Sequence, residues 1–231
     1  MNAPENLQAL RWLESRGSAV RAGVPATLVV DNDRAAGVAI PGERIAAGAV
    51  VSAVPWFSFP AFAVDVPGLA GISRDAAAMT PSPIVTVNLW YDRPVTDTAF
   101  IGLPGRTFQW VFDKGRIFGG GASHLSLISS GADEVVALAN EELRAMAERE
   151  VGEALPAVRA ARVVRAIVVR EKRATFSLAP GEPRRPAAMS PVKRLYLAGD
   201  WTDTGLPATI EGAVASGHRA ADLLKAEGSR L

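Results

Sequence analysis

Leu195 to Ala221 reads LYLAGDWTDTGLPATIEGAVASGHRAA, and the order of residue types in this stretch decides the fold. Arg194-Leu195-Tyr196-Leu197-Ala198 is a short apolar run of the kind that forms a buried strand. Gly199 and Asp200 follow at its carboxyl end, where open α/β sheets bind their ligands. Glycine there lets backbone come close to a ligand, and aspartate offers a carboxylate to hydroxyl donors. A loop rich in Thr, Asp, Gly and Pro then leads into a helix from about Thr209 to Lys225. Its first turn leaves N–H groups unpaired at the positive end of the helix dipole, where an anionic ligand edge is stabilised. Gly212, Ser216 and Ala220 form one row of small residues along this helix, and Ala213, Gly217 and Ala221 form a second. Interior glycine costs about 1 kcal/mol against alanine, so the rows predict close approach of the helix to a sheet or to a ligand.

Working outward, the N-terminal part alternates in a similar way. Leu7 to Arg16 has helical spacing and a stop at Gly17. Short strands follow at Ala19–Arg21, Ala26–Val30, Gly37–Ile40 and Ala49–Val54, with a turn at Asp31-Asn32-Asp33. Ile45 to Val64 is a run of 20 uncharged residues, long enough to span a membrane. Pro55 and Pro60 would break such a helix, and a buried strand ending at Pro55 is the better reading. Trp56 to Phe62 packs four aromatics into seven residues. The segment is either core beneath a loop or the wall of an apolar substrate tunnel, with a membrane-contacting lip as a third reading.

The middle of the chain is richer in strands. Ile84–Tyr91 and Leu125–Ser129 are strand candidates. Thr107–Phe112 and Arg116–Gly121 suggest a hairpin through Asp113-Lys114-Gly115, with Gly119-Gly120-Gly121 as its glycine-rich end. Ser130 to Asp133 fits a capping box opening a helix over about 131–155, with Val136, Ala139, Leu143, Met146 and Ala147 on one face. Ala161 to Arg170 is a Val/Ile strand, residues 179–191 are a proline-rich loop, and the spaced arginines 159, 162, 165, 170 and 173 suggest a solvated strand edge or a contact with anionic headgroups. The resulting picture is a mixed α/β protein. An outer part, 1–53 and 191–231, is interrupted by a β-rich insert, 54–190.

Composition narrows the function. The chain has 231 residues, 48% of them hydrophobic, enough for a sizeable core. Twenty-five Lys+Arg balance 24 Asp+Glu to a net charge of +1, which removes the electrostatic argument for a nucleic-acid partner. There is no cysteine, so disulfides, thiolate metal sites and cysteine nucleophiles are excluded. Two histidines, His124 and His218, do not suggest a metal site. The polar start MNAPENLQALRWLESRG lacks the pattern of a signal peptide, so the expected location is cytoplasmic, with a membrane surface as a further option.

AGDWTDTGLPATIEGAVASG resembles the C-terminal flavin motif of the FAD-dependent amine oxidase and phytoene desaturase superfamily. It is most similar to the squalene-associated desaturases, the hydroxysqualene dehydroxylases of hopanoid biosynthesis. Ile84-Val85-Thr86-Val87-Asn88-Leu89-Trp90-Tyr91-Asp92-Arg93-Pro94, Trp110 to Lys114, Arg170 to Phe176 and Ala49 to Pro55 resemble segments of the same subfamily, so the likeness runs over essentially the whole chain. It implies the C-terminal part of a two-domain FAD-dependent oxidoreductase. Residues 1–53 and 191–231 would belong to an incomplete Rossmann-like FAD-binding part, and 54–190 to a substrate domain. It also implies roles. Asp200 would bind a ribityl or neighbouring hydroxyl of FAD, with Gly199 allowing the approach. Thr209 and Ile210 would offer N–H groups to the flavin N1/O2 edge, Trp201 and Pro207 would lie near the ring, and Ala26 falls where family members place a valine beside adenine.

Such enzymes begin with a strand and a G-x-G-x-x-G turn that holds the FAD pyrophosphate. No such motif occurs in this sequence. The resemblance therefore predicts the C-terminal half of a longer enzyme, or a partner to a separate N-terminal half, and weak or no binding of FAD by this chain alone. The implied reaction is reduction of hydroxysqualene to squalene with loss of its hydroxyl. An apolar isoprenoid substrate needs an apolar wall, for which Trp56, Phe57, Trp90 and Trp110 stand out beside Phe59, Phe62 and Phe108. His124, Asp113, Glu171 and Lys172 are candidate proton donors, none of them favoured. Related amine oxidases commonly carry a lysine on the strand matching Ile84–Tyr91. Thr86 and Asn88 stand there instead, which argues against amine oxidation and leaves carotenoid desaturation as an alternative. A non-catalytic remnant or lipid-binding module is the reading from another class.

Overall fold

The computed structural model describes residues 4–120 and 123–228, the side chains of 4–7 excepted. Its helices are α1 (Pro4–Glu14), α2 (Phe59–Phe62), α3 (Ala70–Ala78), α4 (Lys114–Phe118), α5 (Asn140–Ala154) and α6 (Ile210–Gly228). Its strands are β1 (Thr27–Asp31), β2 (Arg34–Ile40), β3 (Glu43–Ala46), β4 (Val50–Ser52), β5 (Pro81–Tyr91), β6 (Phe100–Gly102), β7 (Trp110–Asp113), β8 (His124–Ser130), β9 (Val163–Phe176) and β10 (Leu195–Leu197). They form two units, Met1–Ala78 with Pro183–Leu231, and Met79–Glu182.

In the first unit, β1, β2 and β3 make an antiparallel meander. Asn32 and Asp33 both adopt positive φ, 48° and 58°, the pairing that a two-residue turn between twisted strands requires. The decisive pair is parallel. β10 lies beside β4 with Leu195 opposite Val50 and Leu197 opposite Ser52. A parallel pair must be covered, and the small row of α6 covers it: Gly212, Ser216 and Ala220 are buried, with Ala220 packed among Tyr196 and Ala198. The second row turns outward, with Gly217 and Ala221 exposed. Residues 54–78, read from the sequence as part of the insert, belong to this unit. Their aromatics hold them there: the Phe59 ring is fully buried 5.2 Å from that of Trp201, and the Trp201 indole N–H donates to the Val54 carbonyl at 2.9 Å. The 45–64 stretch thus becomes a short strand and short helical turns. No helix among the described residues is long and apolar enough to cross a membrane.

The second unit is a five-stranded antiparallel sheet in the order β6-β7-β8-β5-β9. Alternation along the strands splits its two faces. Val85, Val87, Leu89, Tyr91, Val111, Leu125 and Leu127 point to the core, where Leu143, Ala147 and Val151 of α5 pack.

Three local expectations are corrected here. The helix does not open at Ser130–Asp133. Ser130 ends β8, and Arg170 occupies the Val136 and Leu138 carbonyls at 3.0 and 2.6 Å, so α5 begins only at Asn140, with the Glu142 carboxylate accepting the Ala139 N–H. Thr107–Phe112 and Arg116–Gly121 form no hairpin over the residues described, which exclude Gly121. Asp113 instead caps α4, accepting the Arg116 N–H at 3.1 Å. Ala19–Arg21 forms no strand, and Arg21 pairs with Glu43.

Candidate functional site

The tip of β10 is built around Gly199. Its φ of 120° is open to glycine, and a Cβ at this position would lie 2.9 Å from Trp201 Cδ1. The Gly199 N–H donates to Ser216 Oγ at 2.7 Å, which ties the strand tip to the buried row of α6, and Ser216 Oγ donates onward to the Ala213 carbonyl at 2.5 Å. The Thr202 hydroxyl donates to the Gly199 carbonyl at 2.9 Å. Asp200 follows half-buried. Burial pushes its carboxyl above the ordinary carboxylate value, against the opposing pull of the Asp200 and Trp201 N–H groups and of Arg185.

Arg185 is the residue that sequence reasoning missed. It comes from the proline-rich loop, donates to the Leu206 carbonyl at 2.8 Å and the Asp200 carbonyl at 3.5 Å, and stands 3.7 Å from the Asp203 carboxylate. It thereby gathers the loop between strand tip and helix. No periodic pattern marks a loop arginine. The only signal is a long cationic side chain in a segment with few hydrogen-bonding partners of its own.

The mouth of α6 faces outward. Thr209 and Ile210 are exposed, Ile210 at 86%. Thr209 Oγ1 accepts the Gly212 N–H at 3.2 Å, and the N–H groups of Ile210 and Glu211 have no acceptor among the described residues. Pro207 is exposed, and its carbonyl would lie 2.7 Å from a Cβ at Gly212. Gly199, Asp200, Pro207, Thr209 and Ile210 are thus one continuous strand tip, loop and helix mouth. Trp201, fully buried, is its internal support rather than its surface. Ala26 stands half-buried just ahead of β1, on the meander. A half-buried acceptor carboxylate, free N–H groups and a helix dipole fit a polar, electron-accepting ring with a hydroxylated chain.

The second unit carries the other set of candidates. Its sheet face opposite the core presents Trp90, Asn88, His124, Ile128, Trp110 and Phe112. Trp110 is 46% exposed and its ring lies 6.3 Å from that of Phe112. The His124 ring stacks on Trp90 at 4.0 Å, its Nε2 is 3.0 Å from Asn88 Oδ1, and the Arg165 guanidinium lies 4.8 Å from the other ring of the pair, Trp90. Burial, then Lys114, lowers the His124 pKa, with Arg165 adding to this and Asp113 opposing. Asp113 is buried and committed to capping α4, while Glu171 and Lys172 are exposed on β9. Of the aromatics, Trp56, Phe59, Phe62 and Phe108 are core. Phe57, Trp90 and Trp110 keep open surface. The arginine run is not one solvated edge either, since Arg170 turns onto the carbonyls before α5 and Arg165 onto Trp90.

The family model described as flavin containing amine oxidoreductase matches residues 2–225. A hydroxysqualene dehydroxylase of Rhodopseudomonas palustris is 36% identical over 226 residues, 95% of this chain and 50% of that protein. One from Sinorhizobium fredii is 34% identical, over 95% of this chain and 49% of that protein. Among solved structures, a cofactor-binding redesign of putrescine oxidase superposes with a TM-score of 0.73 at 19% identity, covering 96% of this chain and 52% of that one. The chain spans about half the length of the curated relatives it matches.

Proposed function

Since the chain belongs to the flavin-containing amine oxidoreductase family, we propose that it is the C-terminal part of an FAD-dependent oxidoreductase that reduces hydroxysqualene to squalene. The observation that carries the cofactor half of this reading is the pairing of a half-buried Asp200 with a helix mouth whose Ile210 and Glu211 N–H groups lack acceptors among the described residues. Asp200 accepts a hydroxyl of the ribityl chain. The N–H groups at the start of α6 donate to the electron-rich edge of the ring, and the helix dipole favours negative charge there. Bound and reduced, FAD supplies the hydride.

The substrate half rests on the aromatic sheet face and on the relatives' names. Trp90 and Trp110 offer apolar surface to a hydrocarbon chain, and water is excluded from it as the chain settles. In the reaction a C–O bond breaks and a C–H bond forms. The departing hydroxyl takes up a proton and leaves as water. An N-terminal half bearing the pyrophosphate-binding turn completes the FAD site, as a preceding segment or as a separate chain. Sequencing the DNA upstream of the Met1 codon distinguishes these.

The test is incubation of the protein at its complete length with FAD, a reductant and hydroxysqualene. Squalene is the expected product. Flavin bound in stoichiometric amount while hydroxysqualene is recovered unchanged would overturn the reaction but leave the flavin site standing.

A further inference from the structure

Tyr91 closes β5 on the core face of the sheet, 1% exposed, yet its hydroxyl has no hydrogen-bond partner among the described residues. Buried hydroxyls of this kind are rare and call for an acceptor. The Tyr91 side chain helps wall a cavity of about 410 Å³ in the second unit. The charged groups around it are Arg144 and Glu148 of α5, Arg159 of the turn at Pro156–Ala160 and Arg162 just ahead of β9. Three guanidiniums outnumber the Glu148 carboxylate among the lining residues, and the Asp92 carboxylate beside Arg162 is a second counter-charge. The Glu148 carboxylate is already engaged: Arg144 Nε donates to Glu148 at 2.7 Å, and Arg159 Nε donates to the Gly152 carbonyl at 2.7 Å. Both arginines are thus steadied through Nε, and their Nη groups have no acceptor among the described residues. Arg162 lies 4.0 Å from Asp92 with its side chain 79% exposed.

We propose that this cavity binds a phosphate group. A ligand that suits it must bring acceptor oxygens and negative charge, because the walls offer guanidinium donors in excess of carboxylates. A phosphate group, free or as a mono- or diester, has that composition. Burial, and then the Glu148 charge, push the Tyr91 pKa up, so the phenol stays a donor throughout the physiological range. Successive side chains on a strand point to opposite faces. Tyr91 therefore serves a site on the other side of the sheet from Trp90, and the inference does not rest on the proposed reaction. The phosphate belongs either to a soluble molecule or to a phospholipid headgroup, and the experiment separates the two.

The chain is titrated with inorganic phosphate by calorimetry, and separately sedimented with phosphatidylglycerol vesicles, as wild type, Tyr91→Phe and Arg162→Gln. One equivalent of phosphate is expected, with affinity about tenfold lower or worse in each variant, the scale of one lost charge-assisted hydrogen bond. Tyr91→Phe should keep or raise its thermal midpoint, since the hydroxyl it removes has no partner among the described residues. Phosphate uptake without vesicle binding identifies a soluble ligand. Vesicle binding that inorganic phosphate displaces identifies a headgroup. No uptake of either, uptake that ignores both substitutions, or a lowered midpoint in Tyr91→Phe would overturn the site.

Discussion

Gly212 and Gly217 sit five residues apart on α6, and the same substitution should act on them with opposite sign. At Gly217 an added methyl meets nothing within 4 Å. Only the helix-propensity gain remains there, so Gly217→Ala should stabilise by about 0.5–1 kcal/mol. At Gly212 the methyl would stand 2.7 Å from the Pro207 carbonyl oxygen, a backbone atom that cannot swing aside. The turn before α6 must then shift by some tenths of an ångström. Overpacking of this kind costs about 1–3 kcal/mol, and the Gly212 N–H bond to Thr209 Oγ1 is strained with it, at about 1 kcal/mol. Set against the propensity gain, Gly212→Ala should destabilise by about 1–3 kcal/mol. Urea-dependent amide exchange read at α6 itself is the assay, because it reports the unit that carries the helix without assuming that both units unfold together. Equal shifts in the two variants, or a stabilised Gly212→Ala, would refute the packing argument.

Other consequences of the same geometry are open to measurement. Ser216→Ala leaves the Gly199 N–H without its acceptor and should cost about 1–3 kcal/mol in urea unfolding; a neutral result would mean that water replaces the hydroxyl. Glu150 is buried and accepts the Phe108 and Thr107 N–H groups at 3.0 and 3.2 Å. Glu150→Ala should therefore cost about 2–4 kcal/mol, and a loss below 1 kcal/mol would show that those donors find other partners. The Asp200 carboxyl titrates above its unfolded value. Its favourable contribution is complete below the ordinary aspartate value and is lost as pH rises through the folded one. Stability of Asp200→Asn relative to wild type should thus climb with pH across that window, and a relative fall measured by urea midpoints would reverse the sign assigned to burial.

What the sequence disclosed and what it hid follow from the range of the forces involved. β10, its Gly-Asp tip and α6 are legible because each is specified locally, by an apolar run, by turn residues and by a periodic row of small side chains. The Asn32–Asp33 turn is legible for the same reason. The late start of α5 is not, because Arg170 on β9, far away in sequence, takes the carbonyls that an earlier start would have used. Asp113 reads as a hairpin turn because a turn aspartate and a helix cap look alike until the downstream N–H groups have directions. From the sequence Phe59 is either core or tunnel wall, and in the structure it is core, packed against Trp201. Aromatic residues near a motif do not reveal which way they point. Arg185 has no periodic signature, since its three contacts lie 15 to 21 positions away.

The claim on which the functional account stands is that Asp200 and the mouth of α6 hold the ring and ribityl chain of a flavin. Riboflavin carries both and lacks the pyrophosphate, so it probes this half of the site alone. Titration of riboflavin into the chain, followed by amide shifts in heteronuclear NMR, should move Gly199, Asp200 and Thr209 to Gly212 in one saturable, weak transition that Asp200→Ala abolishes. Shifts confined to other residues, or a transition unchanged in Asp200→Ala, would contradict it.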